Sequence, residues 1–503
     1  MTAQQTRESL LKTSTTRRAI LGGSIAAASV AVTYAALGDK FGILDGLSSG
    51  STRSDADALK KESVRINHLL RRAGFGVSRE EYDHYQSLGL KATIDELVNY
   101  TSVDDSAAET LAGQIPLDRQ GLPTRWLVRM ANTKRPLQEK MTLFWHGLLT
   151  SQISVVQVPE MMERQNNFFR ANAMATFPEI LKGISMDPAM MIYLDISGSQ
   201  RRAPNENYAR ELMELFALGI GNYTEQDIRE AARAFTGWFV PRRRTGNNDF
   251  EYDEPTFRPN LFDGGTKTVL GRSGNFRPED VIDIIVEQPA SASFIVGKLF
   301  AFFAYPGADE QTLKPFVDTY LGSGKSIGAT VEAILRSDEM YSPRAYRSIV
   351  RSPVEYAVAA IKALGLQGGV AGLVAQNRGQ TLAQMGQVLY EPPNVAGWPG
   401  GETWLNSATM FARLNFINLV TGGAPQPAPR GARQQSQPAP GANLGTAAQA
   451  LDYYLPLVLD DNVPEEARRV LLDYAGGPDA PLSPEQLRGL VYLILASPQF
   501  HLA

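Results

Sequence analysis

From about Leu59 onward, hydrophobic positions recur at three- and four-residue spacing, the period of a helix with one face turned to a core. Ile66, Leu69, Leu70 and Ala73 form one such stripe, ended by Gly74 and Gly76. Leu137, Met141, Phe144 and Leu148 form another. Helix starts recur along the chain. Ser78 with Glu81, Ser352 with Glu355 and Ser483 with Gln486 have the spacing at which side chain and backbone cap each other. Asp187 before Pro188, and Thr224 before Glu225 and Asp227, offer further N-caps with acids in the first turn. Helices this frequent predict a mainly α, multi-helix array. One region breaks the period: residues 239–242 and 250–252, around Thr245, Gly246, Asn247 and Asn248, read as a hairpin with a Gly/Asn turn. Lys267 to Leu270 offers a third strand, so a small inserted β-hairpin or short sheet is expected near residues 238–272.

The pattern also divides the chain. Residues 1–37 hold Arg17 and Arg18 followed by an uncharged run at 19–37 rich in Ala, Gly and Ser, the form of a twin-arginine export signal. Small residues at 26–28 and 33–35 leave the cleavage site open, and with it retention as an anchor. A flexible tether is expected at 38–58 and a main helical domain at 59–420, with the β insertion at 238–272. Residues 421–446, with five Pro, five Gly, four Gln and no acid, read as a linker or insertion, and 447–503 as C-terminal helices packing on the main domain.

Composition narrows the chemistry. The 503 residues contain no Cys, which excludes disulfides, thiolate metal sites and a Cys nucleophile. The charge is balanced, 49 Lys+Arg against 53 Asp+Glu, and nothing suggests a nucleic-acid partner. No His-x-x-x-His or phosphate loop appears, the Gly-x-Ser-x-Gly runs at 46–50 and 324–328 follow no expected strand, and the two Glu-x-x-His runs of a di-iron bundle are not both present, so no metal site is assigned and the cofactor is unknown. Any metal that did bind would be a hard, oxygen-ligated ion.

Polar residues that interrupt apolar faces are the candidate chemistry. The run from Pro204 to Gly219, read as one helix, puts Asn207, Glu211 and Glu214 on a common stripe and apolar residues on the other side. One reading gives Arg210 ion pairs with Glu206 or Glu214; the other makes the stripe a site. A second stripe, Arg135, Glu139, Thr142 and His146, lies opposite the apolar face of its helix. Of the four His, His84 and His501 are poor candidates, and His68 reads as a hydrogen-bonded core residue. Residues 391–404 pack two Trp, three Pro and three Gly into a loop held by its own aromatics, placing Trp398 and Trp404 where loops carry binding sites.

Several of these segments together resemble the bacterial domain of unknown function 1800 family. The resemblance rests on residues 67–76, 135–147, 204–227 and 231–238, and on residues 391–409. It implies an exported bacterial protein, often encoded beside a second exported family resembling alkaline phosphatases and sulfatases; no reaction or catalytic residue comes with it. Where many members carry a second His after Trp-His-Gly, this chain has Leu148; where many carry His-Asp, it has Phe262 and Asp263.

Two functions follow as expectations, both placed in the periplasm or cell envelope. One is a cell-envelope assembly or binding scaffold working with such an exported neighbour, touching the membrane only through an uncleaved N-terminal segment. The alternative is a hydrolase-like enzyme in which His146, Glu211 and Glu214 are catalytic. Asp195, Asn207 and Arg210 then orient substrate, with Trp398 and Trp404 in the binding wall.

Overall fold

Capping decides where the helices begin. In the computed structural model, which describes residues 53–244, 250–252, 254–376, 380–422 and 444–503, the paired caps at Ser78, Thr224, Ser352 and Ser483 are all formed. The Asp187 side chain accepts from the Met190 amide at 3.1 Å. Each satisfies backbone N–H groups that a helix start otherwise leaves unpaired. The expected export segment, the hairpin turn and most of the expected linker lie outside the described residues. Of the expected tether, residues Arg53–Ala58 form a short helix instead. Leu59, just beyond it, packs with Val64 and Tyr346, which gives that end of the chain something to fold against.

Two helices run through the interior. Pro136–Leu148 is buried from Pro136 to His146, around its whole circumference, and Pro353–Ala363 is buried at every position except Glu355. A helix enclosed on all sides must satisfy its polar side chains internally. Lys140 on the first does so by pairing with Glu355 on the second and donating to the Gly74 carbonyl at 3.1 Å. Helices Gly121–Asn132, Pro159–Ala171 and Arg79–Val98 pack around the first, the last bent at Gly89, where φ is 77°. Helices Ser407–Val420 and Ala447–Leu459 pack on the second, and Pro484–Leu495 packs on both of these. Buried apolar residues from Ile66 to Phe500 form one continuous cluster. Among the described residues no single helix is long and apolar enough to cross a membrane.

The β insertion is present as three separate two-stranded antiparallel ribbons. β1 (Trp238–Phe239) pairs with β4 (Thr256–Phe257), enclosing the pair β2 (Arg242–Arg244) and β3 (Phe250–Tyr252) in register Arg243 to Glu251. The expected third strand, β5 (Lys267–Val269), turns back through Leu270 and Gly271 to β6 (Arg272–Gly274) and does not join that hairpin. Both turn residues have positive φ, 49° and 79°, as a two-residue hairpin turn requires. Helix Glu225–Ala234 holds this ribbon: Asp227 and Glu230 accept from the Leu270 and Thr268 amides at 2.7 and 3.0 Å. Asp263, next to Phe262, grips Arg233 through Nε at 2.8 Å and Nη2 at 3.1 Å.

The run from Pro204 to Gly219 is corrected in one respect. It begins as the α-helix Asn207–Glu211 and continues as a π-helical segment, Leu212–Ala217. The wider turn shifts the phase between Glu211 and Glu214, so the expected single α-helical stripe is broken.

Candidate functional site

His146 sits near the end of its helix, 1% exposed, among rings. Trp126, Tyr390 and Trp398 pack on it at centroid distances of 5.3, 5.3 and 5.5 Å. The Tyr390 amide donates to its Nε2 at 3.2 Å. Burial alone pushes its pKa down to about 3, with no charged neighbour contributing. The ring is therefore neutral, and the lone pair a general base would use is taken.

Beneath these rings lies a polar cluster on four helices. Glu139, 1% exposed, accepts from Trp126 Nε1 at 2.8 Å and from Arg170 through both Nε and Nη2. Arg170 also donates to Asn166 Oδ1 at 2.7 Å. Arg129 pairs with Glu109, while Arg125 reaches Glu163 at 3.3 Å. Thr142 bonds back to the Gln138 carbonyl, and Arg135 reaches the Val103 carbonyl, so neither joins the cluster. The Tyr390 hydroxyl, Glu163 Oε2 and Asn166 Nδ2 are buried without a partner. Burial and the nearby Glu163 charge push the Tyr390 phenol well above its ordinary range. Sequence reasoning reached Glu139 and His146 but missed Trp126, Glu163, Asn166, Arg170 and Tyr390. Glu163, Asn166 and Arg170, spaced by three and four on helix Pro159–Ala171, are the signal that was available.

Glu211 and Glu214 make a different set of contacts. Both are partly exposed; Glu214 accepts from the Tyr223 hydroxyl at 2.7 Å. Burial, and then the Glu214 charge, raise the Glu211 pKa. Arg210 pairs with Glu225 at 2.8 Å and with Glu206 at 3.3 Å, leaving the expected alternative partner Glu214 to Tyr223. Asn207 donates to Asp195 at 3.0 Å, both on the surface. The two glutamates thus influence each other, but no hydrogen bond, ion pair or charge effect among the described residues joins either to His146.

The loop at 391–404 lies between the two sets. Its start is stitched to the chain after the His146 helix: Ile153 donates to the Tyr390 carbonyl at 2.9 Å, Ser154 to Glu391 at 3.0 Å, and Thr150 to the Val395 carbonyl at 2.7 Å. Gly397, at φ 80°, lets the loop backbone approach Gly147 so closely that a Cβ would fall 2.2 Å from its carbonyl oxygen. Tyr193, bonded to Thr150, feels both Glu391 and Glu211, while Trp398 packs on His146. The two tryptophans differ in role. Trp398 is half-buried, whereas Trp404 is 6% exposed and lies against Gly386. The remaining rings do not join them: Trp145 packs on Phe144 and Phe177, and Trp238 on Phe257. Among the described residues no three His, Asp or Glu side chains gather to hold a metal ion.

Fold and site together define a mainly helical protein whose interior polar residues are tied into ion-pair chains beneath an aromatic loop. The family model described as "Protein of unknown function (DUF1800)" matches residues 68–502, and the chain belongs to that family. Comparison with curated proteins and with solved structures gives no match.

Proposed function

We propose that this protein is an exported cell-envelope assembly or binding scaffold, working with an exported partner of the alkaline-phosphatase/sulfatase type. The observation that carries the reading is the state of the polar stripes. Arg210 is held by Glu206 and Glu225, Glu139 by Arg170 and Trp126, and His146 is a neutral ring whose Nε2 accepts from a backbone amide. Such pairings rigidify a scaffold and occupy these particular groups. The hydrolase alternative joins His146 with Glu211 or Glu214; burial and the Glu214 charge raise the Glu211 pKa, while burial alone lowers that of His146. The half-buried Trp398, on a loop braced by Thr150 and Glu391, supplies an aromatic contact for a partner.

Export follows from Arg17 and Arg18 ahead of the uncharged run at 19–37. The test is a tagged full chain expressed with the exported neighbour, fractionated and cross-linked in intact cells. Both proteins should appear in the envelope fraction as one cross-linked species that Trp398→Ala weakens, and Arg17→Lys with Arg18→Lys should hold the chain in the cytoplasm. Envelope location without any cross-link to that neighbour refutes the scaffold role; cytoplasmic location of the unaltered chain refutes export.

A further inference from the structure

Helix Glu62–Arg72, helix Pro353–Ala363 and the C-terminal residues enclose a narrow cleft. Asn67, Arg71, Arg351, Ala359, Ala363 and Phe500 line it. We propose that this cleft binds a small oxyanion, a carboxylate or phosphate group, with Arg351 as its principal contact.

The argument starts from charge. Arg71 is matched by Asp460, in a two-pronged pair at 2.6 and 2.8 Å, and Lys140 is matched by Glu355. Among the described residues Arg72, Arg351 and Arg413 ion-pair with no carboxylate side chain. Arg72 instead donates to the carbonyls of Phe303 and Ala304 and, at 3.5 Å, to the Ala503 oxygen. Arg413 gives Nη2 to the Arg351 carbonyl at 2.8 Å and leaves Nε and Nη1 without an acceptor. Arg351 is 4% exposed, lies over the Phe500 ring at 4.6 Å, and has an unpartnered Nη1.

A cation held out of water without an acceptor is destabilising, and an anion is the usual remedy. A guanidinium presents paired N–H groups that fit two oxygens of a carboxylate or phosphate. Burial and then the Arg71 charge push Arg351 down to about 9 against the opposing Glu355 and Asp460 charges, and burial pushes Arg413 down to about 10. Asn67, whose amide is already bonded to the Pro456 carbonyl and Gln86, lines the cleft beside the arginine, and Ala359 and Ala363 form its apolar wall. This inference stands independently of the scaffold role, since no residue of the aromatic loop takes part.

The experiment titrates the purified full chain by calorimetry with sodium phosphate and, separately, sodium acetate, at constant ionic strength. Arg351→Gln removes the contact, and Ala363→Met fills the cleft while leaving every charge in place. Saturable binding of at least one anion, weakened tenfold or more in both variants, supports the site. Phosphate alone binding assigns a phosphate group, acetate alone a carboxylate, and competition between them a general oxyanion site. Absence of saturable binding by either anion overturns the proposal, as does affinity within about threefold of the unaltered chain in either folded variant. Should circular dichroism show Arg351→Gln unfolded, Ala363→Met decides the matter by itself.

Discussion

Replacing His146 with Gln tests the reading of that residue as a buried neutral ring. Gln offers an amide oxygen to the Tyr390 N–H that Nε2 now accepts, so the backbone hydrogen bond has a substitute. The imidazole has a pKa of about 3 in the folded protein, against its ordinary value of 6.5. The unfolded chain therefore takes up a proton that the folded chain refuses, so stability is present above pH 6.5 and is lost as pH falls toward 3. The loss approaches about 1.4 kcal/mol per pH unit inside that window, or about 2.5 kcal/mol between about pH 7 and about pH 4.5. That is a large share of the ~5–15 kcal/mol that keeps a domain folded. Urea unfolding followed by tryptophan emission, repeated across this range, should give a variant whose stability falls less steeply than that of the unaltered chain by about this amount. His501, also lowered to about 3, is present in both proteins and cancels in the comparison. Asp187, raised to about 6 by burial, works with the opposite sign and cancels too. Parallel pH profiles for the two proteins would refute the argument, because they would mean that His146 titrates alike in folded and unfolded chains.

Two further outcomes follow from the same geometry. Glu139→Ala strands the Arg170 guanidinium and should cost about 3–5 kcal/mol in urea unfolding, whereas Glu139→Leu combined with Arg170→Met should recover most of that loss; a double variant as weak as the single one contradicts the pairing. Gly397→Ala forces a Cβ into the Gly147 carbonyl at a left-handed backbone position and should destabilise the loop by about 1–3 kcal/mol. A change in Trp398 emission checks this, and an unchanged spectrum with unchanged stability rules out the close backbone approach.

Local signals were legible wherever the chemistry is local. Ser78, Thr224, Ser352 and Ser483 cap helices because the side chain and the amide it satisfies lie within one turn. The hairpin, expected between 239–242 and 250–252 and found between 242–244 and 250–252, and the family membership were readable for the same reason, since both are written in short consecutive runs. The π-helical turn after Glu211 was not readable, because the run from Asn207 to Ala217 has the same apolar spacing whether each turn closes four or five residues back.

Pairings across long stretches of chain belong to the tertiary structure. His501, near the end of the sequence, is buried flat against Tyr356 at 5.0 Å, and Tyr390 reaches His146 across 244 residues. Arg71 finds Asp460 across 389 residues, while Arg351 is left with an unpartnered nitrogen. Periodicity states which side of a helix turns inward, since that depends on 3.6 residues per turn and on water avoiding apolar surface. It carries no information on which other inward face is met. That choice is made by the packing of the whole core, and it decides which buried charges are matched and which stay open.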